Sequence, residues 1–154
     1  MPDLTAFKRD LYNYLGVQPT DINYYVRAFT YVISENRKNY PTFQVLENVG
    51  DAVIGYLATL YLVEKYADIS EKHIVREKCF LVSSESLGKE AIRLNMDKLL
   101  LDMRGAIKRD AGNKFYADIF ESFIGALHYD KGLVECRAFL ERELQGFFRK
   151  GIVL

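Results

Sequence analysis

The chain has no surplus of either charge. Its 154 residues carry 21 Lys and Arg against 21 Asp and Glu, a formal net charge of zero. A general basic field is therefore excluded, and any nucleic-acid binding has to come from a local patch. Cysteine is scarce: Cys79 and Cys136 are the only two, and no CxxC pair occurs. That excludes a disulfide framework; both sit in apolar helical pattern and read as core thiols of a reducing compartment. Histidine is as scarce. His73 and His128 form neither HExxH nor ExxH, which argues against zinc and ferritin-type di-iron sites. No Ser–His arrangement is visible, so Ser83 and Ser84 read as a helix cap rather than nucleophiles. Also lacking are a glycine-rich phosphate loop, an internal repeat, a low-complexity tract and a Pro/Gly/Ser linker. The opening stretch, with Asp3 and Asp10, has no apolar core of a secretory signal. The apolar run from Val45 to Val63 approaches membrane-span length, but Glu47 and Asp51 within it oppose insertion. A soluble, cytoplasmic protein with no membrane partner is the expectation.

What is present is a core. Hydrophobic residues make up 49% of the chain, enough for one globular domain over 1–154. No stretch alternates as a strand does, whereas apolar residues recur at helical spacing almost throughout, so the predicted class is all-α. Leu4, Phe7, Leu11 and Leu15 mark a first helix ended by Gly16. A second is predicted from about Asp21 to Ser34, carried by Ile22, Tyr25, Val26, Phe29 and Ile33. A long helix runs from Phe43 to about Tyr66, and Ser70 caps another through Phe80 or Leu81. Ser84 to Leu94 and Leu133 to about Phe148 complete the set, with a helix from Phe115 to Lys131 between them. Residues 102–114, with two glycines, read as a loop.

Two of these helices carry an anomaly. In FQVLENVGDAVIGYLATLYLVE, Glu47 and Asp51 stand four residues apart; in FYADIFESFIGALHYDK, Asp118 and Glu121 stand three apart. Each spacing puts both carboxylates on one helical face. Acids on helices are ordinarily just a solvated stripe, but the first run offers no wide polar stripe to hold them. Lys114 is the one base at helical spacing, and it reaches only Asp118. Burying such acids unpaired costs several kcal/mol, roughly, or forces protonation. A divalent cation is the economical compensator, and an all-oxygen donor set favours Mg²⁺ or Mn²⁺.

The same stretches resemble a known family. Leu46-Glu47-Asn48-Val49-Gly50-Asp51-Ala52-Val53 is similar to the signature helix of the ribonuclease III family. Tyr116 to Leu127, YADIFESFIGAL, is similar to that family's second acidic helix, continued by Asp130-Lys131-Gly132. Ala28-Phe29-Thr30-Tyr31 and Leu81 to Leu87 match further family segments in the expected order. The resemblance implies the family's all-helical endonuclease domain. It also implies Mg²⁺-dependent cleavage of double-stranded RNA to 5′-phosphate and 3′-hydroxyl ends with short 3′ overhangs. Its four metal-binding catalytic carboxylates fall on Glu47, Asp51, Asp118 and Glu121, with Mn²⁺ able to substitute and Asp51 and Glu121 the most critical to rate. The ion would activate a water and neutralise charge on the phosphate.

Some positions depart from the family pattern. Gln44 and Val45 replace a Glu–Arg pair, so Gln44 is not expected to bind metal. Asn48 replaces a phenylalanine that inserts into the partner subunit, which leaves a homodimer expected but admits a heterodimer. The resemblance does not extend to a double-stranded-RNA-binding domain, so affinity is expected from the nuclease domain, above all from Arg104, Lys108, Arg109 and Lys114. These would touch phosphates without reading bases; an ordinary solvated loop is the equal alternative. Arg37, Lys38, Arg149 and Lys150 are weaker candidates. Two other functions stay open: a non-catalytic RNA-binding or assembly subunit of the same fold, and one half of a heterodimeric nuclease. Retention of all four acids favours the enzyme.

Overall fold

In a computed structural model, residues 3–31, 39–101 and 112–144 are described. Among them the chain is all-α, as expected. The helices are α1 (Leu4–Leu15), α2 (Ile22–Ala28), α3 (Phe43–Lys65), α4 (Glu71–Leu81), α5 (Ser84–Arg93), α6 (Asn113–Lys131) and α7 (Leu133–Glu143), with a short 3₁₀ turn over Met96–Leu99.

Local chemistry explains the boundaries. Asp3, Asp21, Thr42, Ser70 and Ser83 each accept a backbone N–H in the first turn of the helix they cap. Gly16, left-handed at φ 67°, turns the chain out of α1, and its N–H bonds back to the Tyr12 carbonyl at 2.8 Å. The second helix ends at Ala28; of its predicted continuation, residues 32–34 lie outside the described residues. Phe29 leaves helical geometry there, and its carbonyl accepts from the distant Leu101 N–H at 2.9 Å. A long-range bond has overruled local periodicity.

The centre of the molecule is the α3–α6 pair. Gly50 lies against the carbonyl of Glu121 and Gly125 against that of Leu46, so the two helices run antiparallel. Phe43, Leu46, Ile54, Leu57 and Leu62 of α3 are buried with Ile119, Phe120, Phe123, Ile124 and Leu127 of α6. Around that seam α2 ties on through the Ser122 hydroxyl, which donates to the Ala28 carbonyl at 3.1 Å. Helix α7 adds Cys136, Phe139 and Leu140. Cys136 is the core thiol expected, but Cys79 is exposed. Helix α4 lies at the periphery and buries only Leu81 fully, so its apolar spacing does not mark a core face. No helix among the described residues is long and apolar enough to cross a membrane.

Candidate metal centre

The antiparallel crossing decides where the acids go. Glu47 sits on α3 one turn before Asp51, and Asp118 and Glu121 sit in the first half of α6. Because Gly50 meets Glu121 across the seam, the two acidic faces arrive at the same place. Carboxylate oxygens of Glu47, Asp118 and Glu121 lie within 4.8 Å of one another. All three residues are half-buried. Two oxygens on one divalent ion, at roughly 2.0 to 2.6 Å each, stand at most about 4 to 5 Å apart. The donor set and spacing therefore fit a single hard cation.

Asp51 is different. It is exposed and stands outside this close group. Its charge is nonetheless felt: after burial itself, Asp51 is the largest influence raising the Glu121 pKa. The expectation of four buried acids is corrected to three half-buried ones with a fourth at the rim.

Electrostatics express the crowding. Burial, then the charges of Asp51, Asp118 and Glu47, push Glu121 up to about 8. Burial, then the Asp118 charge and a hydrogen bond shared with it, push Glu47 up to about 7. Lys114 opposes both shifts. It belongs to the first turn of α6 rather than to a loop, and its Nζ stands 3.2 Å from Asp118 Oδ1. Lys114 was expected to reach Asp118 as well as to face RNA phosphates, and the first of these is what the structure shows. Arg104, Lys108 and Arg109 lie outside the described residues, as do Arg37, Lys38, Arg149 and Lys150.

Near the cluster, Gln44 and Asn48 are exposed, and the Asn48 amide donates to the Gln44 carbonyl at 3.1 Å. His128 belongs to the far half of α6, its Nδ1 buried without a hydrogen bond and its ring edge-on to Tyr129. Tyr24 packs on Tyr40 and Tyr129, and Tyr25 is buried, so Tyr24 and Tyr25 serve packing, whereas Tyr12 and Tyr56 are exposed. The glycine at 125 was not singled out in the sequence. Its signal was there: a glycine inside a buried helical run, one turn after an acid of the cluster.

Known proteins resemble this chain in sequence and in fold. A family model described as the ribonuclease III domain matches residues 44–132. The protein called Ribonuclease 3 from Listeria welshimeri is 33% identical over 138 residues, which cover 86% of this chain and 60% of that protein. The chain thus spans somewhat over half the length of such curated relatives. Two solved structures of the nuclease domain of ribonuclease III from Campylobacter jejuni superpose on it. One has TM-score 0.76 and 26% identity, covering 98% of this chain and 99% of that one. The other, concerned with structural flexibility in a region involved in dimer formation, has TM-score 0.74 and 27% identity, covering 89% and 95%.

Proposed function

The chain belongs to the ribonuclease III family, and from that premise we propose that it is a Mg²⁺-dependent endonuclease of double-stranded RNA, acting in RNA processing. The observation that carries this reading is the group formed by Glu47, Asp118 and Glu121, three carboxylates from two helices with oxygens within 4.8 Å. Among the described residues structural ion pairing does not account for it, because Lys114 is one largely exposed base against three acids. When bound, a divalent ion supplies Lewis-acid chemistry: it lowers the pKa of a water and offsets phosphate charge.

The residues of the chain then take distinct parts. Glu47, Asp118 and Glu121 would hold the ion, while Asp51 at the rim would add negative charge to its surroundings. Lys114, with its Nζ 3.2 Å from Asp118 Oδ1, offsets part of the charge of that carboxylate. Mn²⁺ should substitute for Mg²⁺. The products are 5′-phosphate and 3′-hydroxyl ends with short 3′ overhangs, as expected when a dimer presents one site to each strand. Likeness to a nuclease domain with a region involved in dimer formation supports a homodimer.

A duplex-RNA cleavage assay tests the reading. With Mg²⁺ the protein should cut long duplex and spare single strands, and chelation should stop it. Intact duplex with Mg²⁺ or Mn²⁺ would favour the non-catalytic RNA-binding role instead.

A further inference from the structure

We propose that Gly50 and Gly125 are positioning residues for the ion site: together they set the separation of α3 and α6, and through it the spacing of the Glu47, Asp118 and Glu121 oxygens. The proposal rests on the ion-binding reading of those carboxylates.

The two contacts are reciprocal. A Cβ on Gly50 would lie 2.6 Å from the Glu121 carbonyl carbon and 3.0 Å from the Gly125 nitrogen, with the Glu121 oxygen closer still. A Cβ on Gly125 would lie 2.8 Å from the Leu46 carbonyl carbon and 3.0 Å from its Cα. Real Cβ atoms essentially never approach other atoms below 3.0 Å. Here the obstacles are backbone, which cannot swing aside as a side chain does. Glycine weakens a helix relative to alanine, so two of them in one crossing need a compensating gain.

Their placement says what the gain is. One obstacle is the backbone of Glu121, itself a proposed ligand; the other is Leu46, which immediately precedes Glu47. Any added bulk would therefore act first on the ligands' own backbone and then on core packing. Metal–oxygen distances differ by only a few tenths of an ångström, about 2.0 to 2.1 Å for Mg²⁺ and about 2.3 to 2.6 Å for Ca²⁺. A widening of the helix pair by half an ångström or more, roughly, thus changes which ion is held best. Gly55, on the same helix, makes no such contact: a Cβ there meets only the end of the Lys78 side chain at 3.4 Å. Gly88 supplies the comparison. Its Cβ would lie 2.6 Å from the Asn113 carbonyl oxygen, a clash of backbone kind between α5 and the first residue of α6 that involves no residue of α3.

The test compares Gly50→Ala, Gly125→Ala and Gly88→Ala with the wild-type chain. Far-UV circular dichroism reads folding, and the melting temperature is followed against Mn²⁺ and Ca²⁺ concentration. For the two seam variants the Mn²⁺ midpoint should rise about tenfold or more, as for disturbed outer-shell support, and the Ca²⁺ midpoint less. Gly88→Ala should melt earlier yet keep the wild-type midpoints. Unchanged midpoints in the seam variants overturn the proposal, as does an equal change in Gly88→Ala, which would mark general destabilisation. Should neither seam variant fold, the wild-type chain decides: a fixed spacing puts its Mn²⁺ midpoint well below that for Ca²⁺, and equal midpoints overturn it. A wild-type chain that answers to neither ion removes the ion-binding reading, and this inference with it.

Discussion

Lys114 Nζ stands 3.2 Å from Asp118 Oδ1, one turn along the same helix, and its charge also acts on Glu47 and Glu121. The ion-free cluster therefore carries its own counter-cation. Because the Lys114 side chain is 78% exposed, the pair contributes at most about 1 kcal/mol. An incoming divalent ion competes with this ammonium for the same carboxylate. Lys114→Gln should keep the fold, lower ion-free stability slightly and enlarge the rise in melting temperature caused by Mn²⁺. A rise identical to wild type would place Lys114 outside the field of the ion.

Glu121→Gln separates charge from shape. Glu121 is held up to about 8 by burial and by Asp51, Asp118 and Glu47, so removing its charge relieves repulsion without leaving a cavity. The variant should fold with ion-free stability equal to or above wild type at pH 8. Its Mn²⁺-induced stabilisation and its cutting of duplex RNA should both be lost. Retained cutting would show that the ion does not need this oxygen.

Stability and ion binding should depend on pH in opposite senses. Both raised carboxyls, Glu47 at about 7 and Glu121 at about 8, exceed their ordinary value of 4.5. Between 4.5 and those values the folded chain binds more protons than the unfolded one. Their contribution to stability is thus full below pH 4.5 and is lost as pH rises through 7 to 8. Ion binding requires deprotonated carboxylates, so it strengthens over the same window and levels off above pH 8. Melting curves from pH 5 to 9, with and without Mn²⁺, should show the Mn²⁺ increment growing across the window. A flat increment would mean that Glu47 and Glu121 ionise independently of the ion.

Much of this was legible in the sequence because it is local. Asp21, Ser70 and Ser83 were readable as caps, and the 3.6-residue period located α1, α3, α4 and α5 within a residue or two. The acids stood out because each sits in an apolar run. What was not legible depends on distance in sequence. Phe29 stops α2 through a bond to Leu101, which no local pattern announces. Cys79 lies in an apolar pattern on a helix that has little core to face, and Asp51 shares a helical face with Glu47 yet points to the rim. Gly125 stood in a buried helical run, but its partner across the seam, Leu46, lies too far away in sequence to be read locally.

Asn48 tests the dimer. It is exposed on α3 one residue from Glu47, with its amide on the Gln44 carbonyl at 3.1 Å. In the family pattern a phenylalanine at this position inserts into the partner. Asn48→Phe should tighten self-association by burying an aromatic side chain, worth about 2 kcal/mol or tens-fold in dissociation constant. Sedimentation equilibrium measures it. No change in association would mean that the receiving socket is absent, which favours a heterodimer.

The far end of α6 has its own anchor, and breaking it should weaken the fold while sparing the ion site. Asp130 accepts from the Asp21 N–H at 2.7 Å, the Thr20 N–H at 3.1 Å and the Tyr25 hydroxyl at 2.7 Å. Tyr25 is fully buried; burial, then Asp130, drive its phenol far above the ordinary value, so it remains a donor. Tyr25→Phe removes one donor and should cost about 1 to 2 kcal/mol, whereas Asp130→Ala strands three and should cost about 2 to 4 kcal/mol. Since both act on one bond, the double variant should cost less than the sum. Urea unfolding measures all three. The Mn²⁺ midpoint should stay at its wild-type value throughout, because the close packing of Gly125 on Leu46 fixes α6 between this anchor and the acids. A parallel loss of ion affinity would show that α6 moves as one rigid rod, and that the ligand spacing is held from its end as well as from its middle.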